Sequence, residues 1–207
     1  VTALVVVGHN IARAILEITH QRQCDLVLLG WKGYTSHARR ILGEITDTVV
    51  TRARADIAVM RRVGQTPLRK FLLPVAGGEH AKAAASYTSN LAHERSGSLT
   101  LCRILPGSSS EEDQVLARQA LDADLARLPH PEGGDQKVVV SDDVVESILD
   151  EGAGYDAIVV GAAGPASYRQ LLLGNIPEHV AHRATRTVII FKHYNPVKAL
   201  FGRVLDS

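Results

Sequence analysis

Six glycines are the residues of this 207-residue sequence whose spacing can serve chemistry. Gly30, Gly33 and Gly43 form one set, and Gly161, Gly164 and Gly174 repeat it at the same intervals. A glycine has no Cβ to hold a ligand off the backbone, so N–H groups in such a loop can approach a phosphate closely. A helix that starts just after the third glycine adds unpaired donors and the positive end of its dipole. A turn followed by a helix start needs the same glycines, so a purely structural reading stays open. Lys32, beside Gly33, can contact a phosphate, and Trp31 can stack on a base. A solvated loop lysine and a packed indole are the commoner uses of such residues.

The other residues capable of chemistry form no set. His179 and His182 lie three apart, and His193 follows. Neither a carboxylate nor a cysteine stands near them at ligand spacing, so surface histidines are expected and no metal site is assigned. The serine run Ser108–Ser110 lacks a nucleophile elbow and suits a helix cap instead. Cys24 and Cys102 are far apart without a C-x-x-C pattern, as small buried hydrophobes would be. No residue demands a catalytic role, and a non-enzymatic protein is expected. Apolar residues make up 45% and charged residues 22% of the chain, which excludes disordered and collagenous classes. Residues 1–66 carry nine Lys/Arg against five Asp/Glu, and residues 67–194 carry twelve against sixteen. Opposite charges of that size favour contact between the parts but build no stripe for nucleic acid. No apolar run approaches the roughly 18 residues that cross a bilayer, and a cytoplasmic placement is expected. The opening at Val1, already inside a strand-like run, is that expected of a piece of a longer polypeptide.

The elements that position the glycines come in two copies. Cys24–Arg62 aligns without a gap onto Tyr155–His193 at a shift of 131 residues, and Val5–Glu17 aligns onto Val138–Asp150 at a shift of 133. The second copy has a longer front: a strand at Phe71–Val75, a helix at His80–Glu94, a strand at Ser98–Leu105 and a helix from the Ser109–Asp113 cap to about Leu128. A strand at Lys137–Val140, a helix at Asp143–Glu151, a strand at Asp156–Val160, a helix ending near Arg183 and a strand at Thr187–Phe191 follow. Strands that alternate with helices and are apolar on both faces predict an α/β fold, an open parallel sheet covered on both sides. The domains are expected at 1–64, lacking its opening strands, and 68–194, with an amphipathic tail over 195–207. That tail is expected to dock on its own domain, with a partner or membrane surface as the alternative.

Two sets of G-x-x-G, nine residues, G, together with the opening FLLPVAGGEHAKAA at Phe71, resemble the universal stress protein family. The resemblance covers about residues 1–193. It implies a five-stranded parallel sheet in the order 3-2-1-4-5, pairing through the last strand, and for part of the family adenine-nucleotide binding where strands 1 and 4 diverge. Carried onto this sequence, an ATP or AMP site falls at Gly161, Gly164, Gly174, Asn175 and Val75, with Gly30, Gly33 and Gly43 as the first-copy equivalents. Family members that bind ATP have Ser or Thr after the third glycine and an Asp at the end of strand 1. Here those positions are Glu44, Asn175 and Ala76. A carboxylate at Glu44 repels phosphate, Asn175 is a neutral capping residue that still donates an amide hydrogen bond, and Ala76 makes no polar contact with a base. The tandem arrangement and the GWKG loop resemble the cytosolic C-terminal regions of bacterial amino-acid and cation transporters. A regulatory region of a secondary transporter is therefore one expectation, membrane contact coming only through a transporter portion outside this chain. A free-standing cytosolic scaffold that forms a homodimer is the other.

Overall fold

The computed structural model describes residues 2–32, 42–162 and 173–196. The first half forms α1 (Ile11–Gln21), β1 (Leu26–Gly30), α2 (Glu44–Arg52) and β2 (Asp56–Arg61). The second forms β3 (Lys70–Pro74), α3 (Glu79–Glu94), β4 (Ser98–Leu105), α4 (Glu111–Leu125), a 3-10 turn (Pro131–Gly133), β5 (Gly134–Val140), α5 (Val144–Gly152), β6 (Ala157–Gly161), α6 (Asn175–Arg183) and β7 (Thr187–Lys192). Side-chain caps set several helix starts. Asn10 accepts from the Arg13 N–H, Asp143 from the Glu146 N–H, and Ser110 with Asp113 closes a reciprocal capping box.

Among the described residues, seven strands form one sheet in the order β1-β2-β7-β6-β3-β4-β5. Every neighbouring pair is parallel except β2 and β7. Strands from both halves alternate their side chains between two cores. Ile57, Val59, Ile158 and Ile190 point into one, and Ala58, Val159, Ile189 and Phe191 into the other. Burial on both faces is why these strands are continuously apolar in sequence.

The β2–β7 seam joins the halves with near two-fold symmetry. Val59 lies opposite Ile190, the residue 131 positions later, and the pairs on either side run Ile57–Lys192 to Arg61–Val188. Ties across the seam follow the same symmetry. The Arg61 guanidinium donates to the Ala184 carbonyl, and the Lys192 ammonium donates to the Val50 carbonyl at 2.8 Å. Each cation thus meets the C-terminal end of the other half's helix, where the dipole favours it. Burial lowers the Lys192 pKa from its ordinary value. At the opposite end of each strand, Asp56 Oδ1 accepts from the Tyr194 N–H at 2.7 Å and Thr187 Oγ1 from the Val63 N–H at 3.1 Å.

The front of the chain departs from expectation. Val5–Val7, read as a strand from its match to Val138–Val140, belongs to no strand, and Val5 and Val7 are 92% and 99% exposed. Its match, β5, is held by β4 along seven residue pairs. The described first half has no equivalent of β3 or β4, so the valines have no ladder to join. The first half accordingly contributes two strands to the sheet. The amphipathic tail falls mainly at 197–207, outside the described residues.

Candidate functional site

The strand order places β6 beside β3, while the connections from those two strands run to opposite sides, and a crevice opens at their carboxyl ends. A cleft of about 570 Å³ lies there. Its walls are mostly apolar, with Val75 and Ala76 at the end of β3, Ile104 on β4, Val144 and Ile148 on α5, and Val160 to Ala162 at the end of β6. Ile176 and Pro177 of α6 close one side, and Gly77 to Ala81 at the start of α3 close the other. Cys102 also borders the cleft, but burial pushes its thiol up to about 11, which leaves it protonated and unreactive at neutral pH.

Two helix N-termini adjoin the cleft. Gly78 caps α3 at φ +96° and Gly174 caps α6 at φ +98°, a conformation that side-chain-bearing residues rarely adopt. Gly43 caps α2 in the same way at φ +99°. Each N-terminus already has a carboxylate near it. Glu79, in the first turn of α3, accepts a hydrogen bond from the Asn195 side chain at 2.9 Å. Glu178, in the first turn of α6, is buried and faces the Leu173 N–H at 3.4 Å, and burial raises its pKa above the ordinary value. The chain leaving β7 straps over the start of α3, with the His193 N–H donating to His80 Nδ1 at 3.0 Å.

The residues singled out in sequence separate here. Val75 and Gly161 line the cleft together. Gly161 has a packing role as well, because a Cβ there would stand 2.8 Å from the Ala81 backbone nitrogen. Gly174 and Asn175 stand at the adjoining helix start, where Gly174 is the cap and Asn175, expected to cap, is the first helical residue and exposed. Gly164 and Gly33 lie outside the described residues. Gly30 ends β1 at the sheet edge and Gly43 precedes α2, away from the cleft. Trp31 is buried in the core that residues of both halves share with Ile57 and Ile158, and Lys32 is exposed. His193 meets Asp56 Oδ1 at 2.9 Å, so a buried carboxylate engages it.

Comparison with known proteins follows the same division of the chain. The model of the universal stress protein family matches residues 1–61 and 67–192. The chain belongs to the universal stress protein family. A universal stress protein of Mycobacterium bovis is 25% identical over 190 residues, covering 85% of this chain and 64% of that protein. A Na(+)/H(+) antiporter of Synechocystis is 21% identical over 188 residues, covering 89% of this chain and 27% of the antiporter. The chain therefore spans about a quarter to under two thirds of the length of these relatives. Solved universal stress proteins share the fold. One from Archaeoglobus fulgidus superposes with a TM-score of 0.62 at 16% identity, covering 89% of this chain and 66% of that one. One from Pseudomonas aeruginosa gives 0.63 at 14% identity, covering 97% and 74%. Among the described residues, no helix is long and apolar enough to cross a membrane.

A second group of polar side chains was not foreseen. His93, His130 and Glu132 converge at the C-terminal end of α3, at the opposite end of the strands from the cleft. Their sequence spacing resembles no ligand motif, and only the packing of the 3-10 turn against α3 brings them together.

Proposed function

We propose that this chain is a non-enzymatic regulatory module that takes an adenine nucleotide, ATP or AMP, in the cleft between β3 and β6. The observation that carries the reading is the cleft of about 570 Å³ with apolar walls beside a glycine-capped helix N-terminus. Apolar walls suit a base and the α6 N-terminus suits a phosphate. The phosphate is assigned to α6 rather than α3, because Glu79 is the first residue of α3, whereas α6 starts with the neutral Asn175 and its carboxylate, Glu178, is buried against the Leu173 N–H. The first half has β1 and α2 but no equivalent of β3 among the described residues, and no nucleotide is assigned to it.

In this reading the chain is a tandem. Near-equal cap geometry at Gly43 and Gly174, helices of nine residues after each, and the symmetric β2–β7 seam support it. Two further strands, supplied by residues preceding Val1, would complete the first domain. Asp156 accepts from the Arg69 and Lys70 N–H groups, both at 2.9 Å, at the entry to β3, while its counterpart Asp25 stands exposed beside the free edge of β1. Since β2 and β7 occupy each other, a homodimer of this chain has to use another surface; among the described residues, β1 and β5 are the free edges. The similarity to an antiporter supports placing the module in the cytosolic part of a secondary transporter. Ten or more apolar segments of about 20 residues encoded upstream of Val1 would agree with that placement. A start codon some 70 residues upstream would remove it.

Calorimetry tests the nucleotide. ATP or AMP at millimolar concentration is expected to give one site per chain. Ile176→Glu, a change at a 40% exposed position on the cleft wall, is expected to weaken binding at least tenfold through repulsion of the phosphates. Undiminished affinity in that variant means the site lies elsewhere. The second reading, a scaffold without nucleotide, is favoured by Ala76, which offers a base no polar contact. It is the reading that survives if no heat is seen.

A further inference from the structure

We propose that His93, His130 and Glu132 form a binding site for a divalent transition-metal ion, independent of the nucleotide cleft. His93 lies in the last turn of α3, while His130 and Glu132 flank and occupy the 3-10 turn that leads into β5. One carboxylate oxygen, Glu132 Oε1, stands 3.4 Å from His93 Nδ1 and 3.3 Å from His130 Nδ1. These distances exceed the roughly 2.7–2.9 Å of a good charge-assisted hydrogen bond. They match the spacing of ligands on one small ion. With metal–ligand bonds of about 2.0–2.2 Å in tetrahedral array, two ligand atoms sit about 3.3–3.6 Å apart. All three ligand atoms lie within 4.8 Å of one another.

The two imidazoles are stacked, with centroids 3.7 Å apart and planes 7° from parallel. In-plane lone pairs on parallel rings cannot meet at one point, so loading an ion requires the rings to tilt until the lone pairs converge. Both side chains have room to do so. They are 50% and 31% exposed and border an open cleft of about 250 Å³. The backbone beneath them is fixed. Ser89, buried one turn before His93 on α3, accepts from the His130 N–H at 3.1 Å and donates to the His130 carbonyl at 3.3 Å. Within the turn, the Gly134 N–H donates to the Pro131 carbonyl.

Two imidazoles and one carboxylate suit Zn²⁺, Co²⁺, Ni²⁺ or Cu²⁺ and not Ca²⁺ or Mg²⁺, which take oxygen ligands. Three protein ligands leave at least one position for water, and the exposure of the site makes the ion exchangeable. A bound ion would tie the end of α3 to the entrance of β5.

The test is calorimetric titration of ZnCl₂ into tag-free protein, followed by imidazole ¹⁵N shifts of the histidines. One equivalent of Zn²⁺ is expected, with shifts at His93 and His130. His93→Asn, His130→Asn and Glu132→Gln are each expected to weaken it at least tenfold, while His179→Asn and Ile176→Glu leave it unchanged. Absence of Zn²⁺ uptake overturns the proposal. So does uptake undiminished in the His93→Asn/His130→Asn double variant, or shifts confined to other histidines.

Discussion

Gly30 and Gly161 occupy the same motif position and Gly174 the third, and the three answer to different constraints. Gly174 holds φ +98° at a helix start, so Gly174→Ala is expected to cost about 1–3 kcal/mol through backbone strain. Gly161 is forced by contact, since a Cβ would meet the Ala81 backbone, and Gly161→Ala is expected to cost about 1–3 kcal/mol by pushing α3 off the sheet. At Gly30 a Cβ meets nothing within 4 Å among the described residues, and Gly30→Ala is expected to stay within about 0.5 kcal/mol of the parent. Urea unfolding of the three variants checks the order. A cost at Gly30 equal to that at Gly161 would contradict the packing account. The glycine spacing itself was legible in sequence, but the contact of Gly161 with Ala81 was not, because it depends on how α3 crosses the sheet.

At the scale of elements, local signals told most. Ser110 with Asp113 announced the start of α4, Asp143 that of α5, and the apolar runs of β3, β4, β6 and β7 lie within about one residue of where the pattern put them. Val5–Val7 carries an equally good strand pattern and forms none, because a strand needs a neighbour that pattern alone does not supply. The His93–His130–Glu132 group was invisible for the converse reason, since its members are brought together by tertiary packing. The entry to β3 gives an element-level prediction. Burial raises the Asp156 pKa, but hydrogen bonds from the Lys70 and Arg69 N–H groups, aided by the charges of Lys70 and Arg186, outweigh it and hold the carboxyl below its ordinary value of 3.8. The unfolded chain then binds more protons than the folded one at acid pH. The clip's contribution is complete above 3.8 and is lost as pH falls through 3.8 to the lower folded value. Asp156→Asn is expected to destabilise the protein by about 1 kcal/mol at neutral pH and to remove that part of the acid loss. Urea midpoints measured from pH 7 to pH 3 check it, and identical acid profiles for parent and variant would contradict the clip.

Across the whole molecule, β2 and β7 join the two halves inside the sheet, the cleft lies in the second half, and among the described residues β1 is an open edge. Backbone amide exchange of the protein with and without saturating AMP tests this arrangement most directly. Without nucleotide, β2 and β7 are expected among the slowest segments, with Leu4–Val7 among the fastest. With AMP, added protection is expected at Val75–Gly78, Ala162 and Gly174–Ile176, with none at Gly43–Ile45. Protection at Gly43–Ile45 instead, or an exchange pattern that AMP leaves unchanged, would contradict a nucleotide site in the second half.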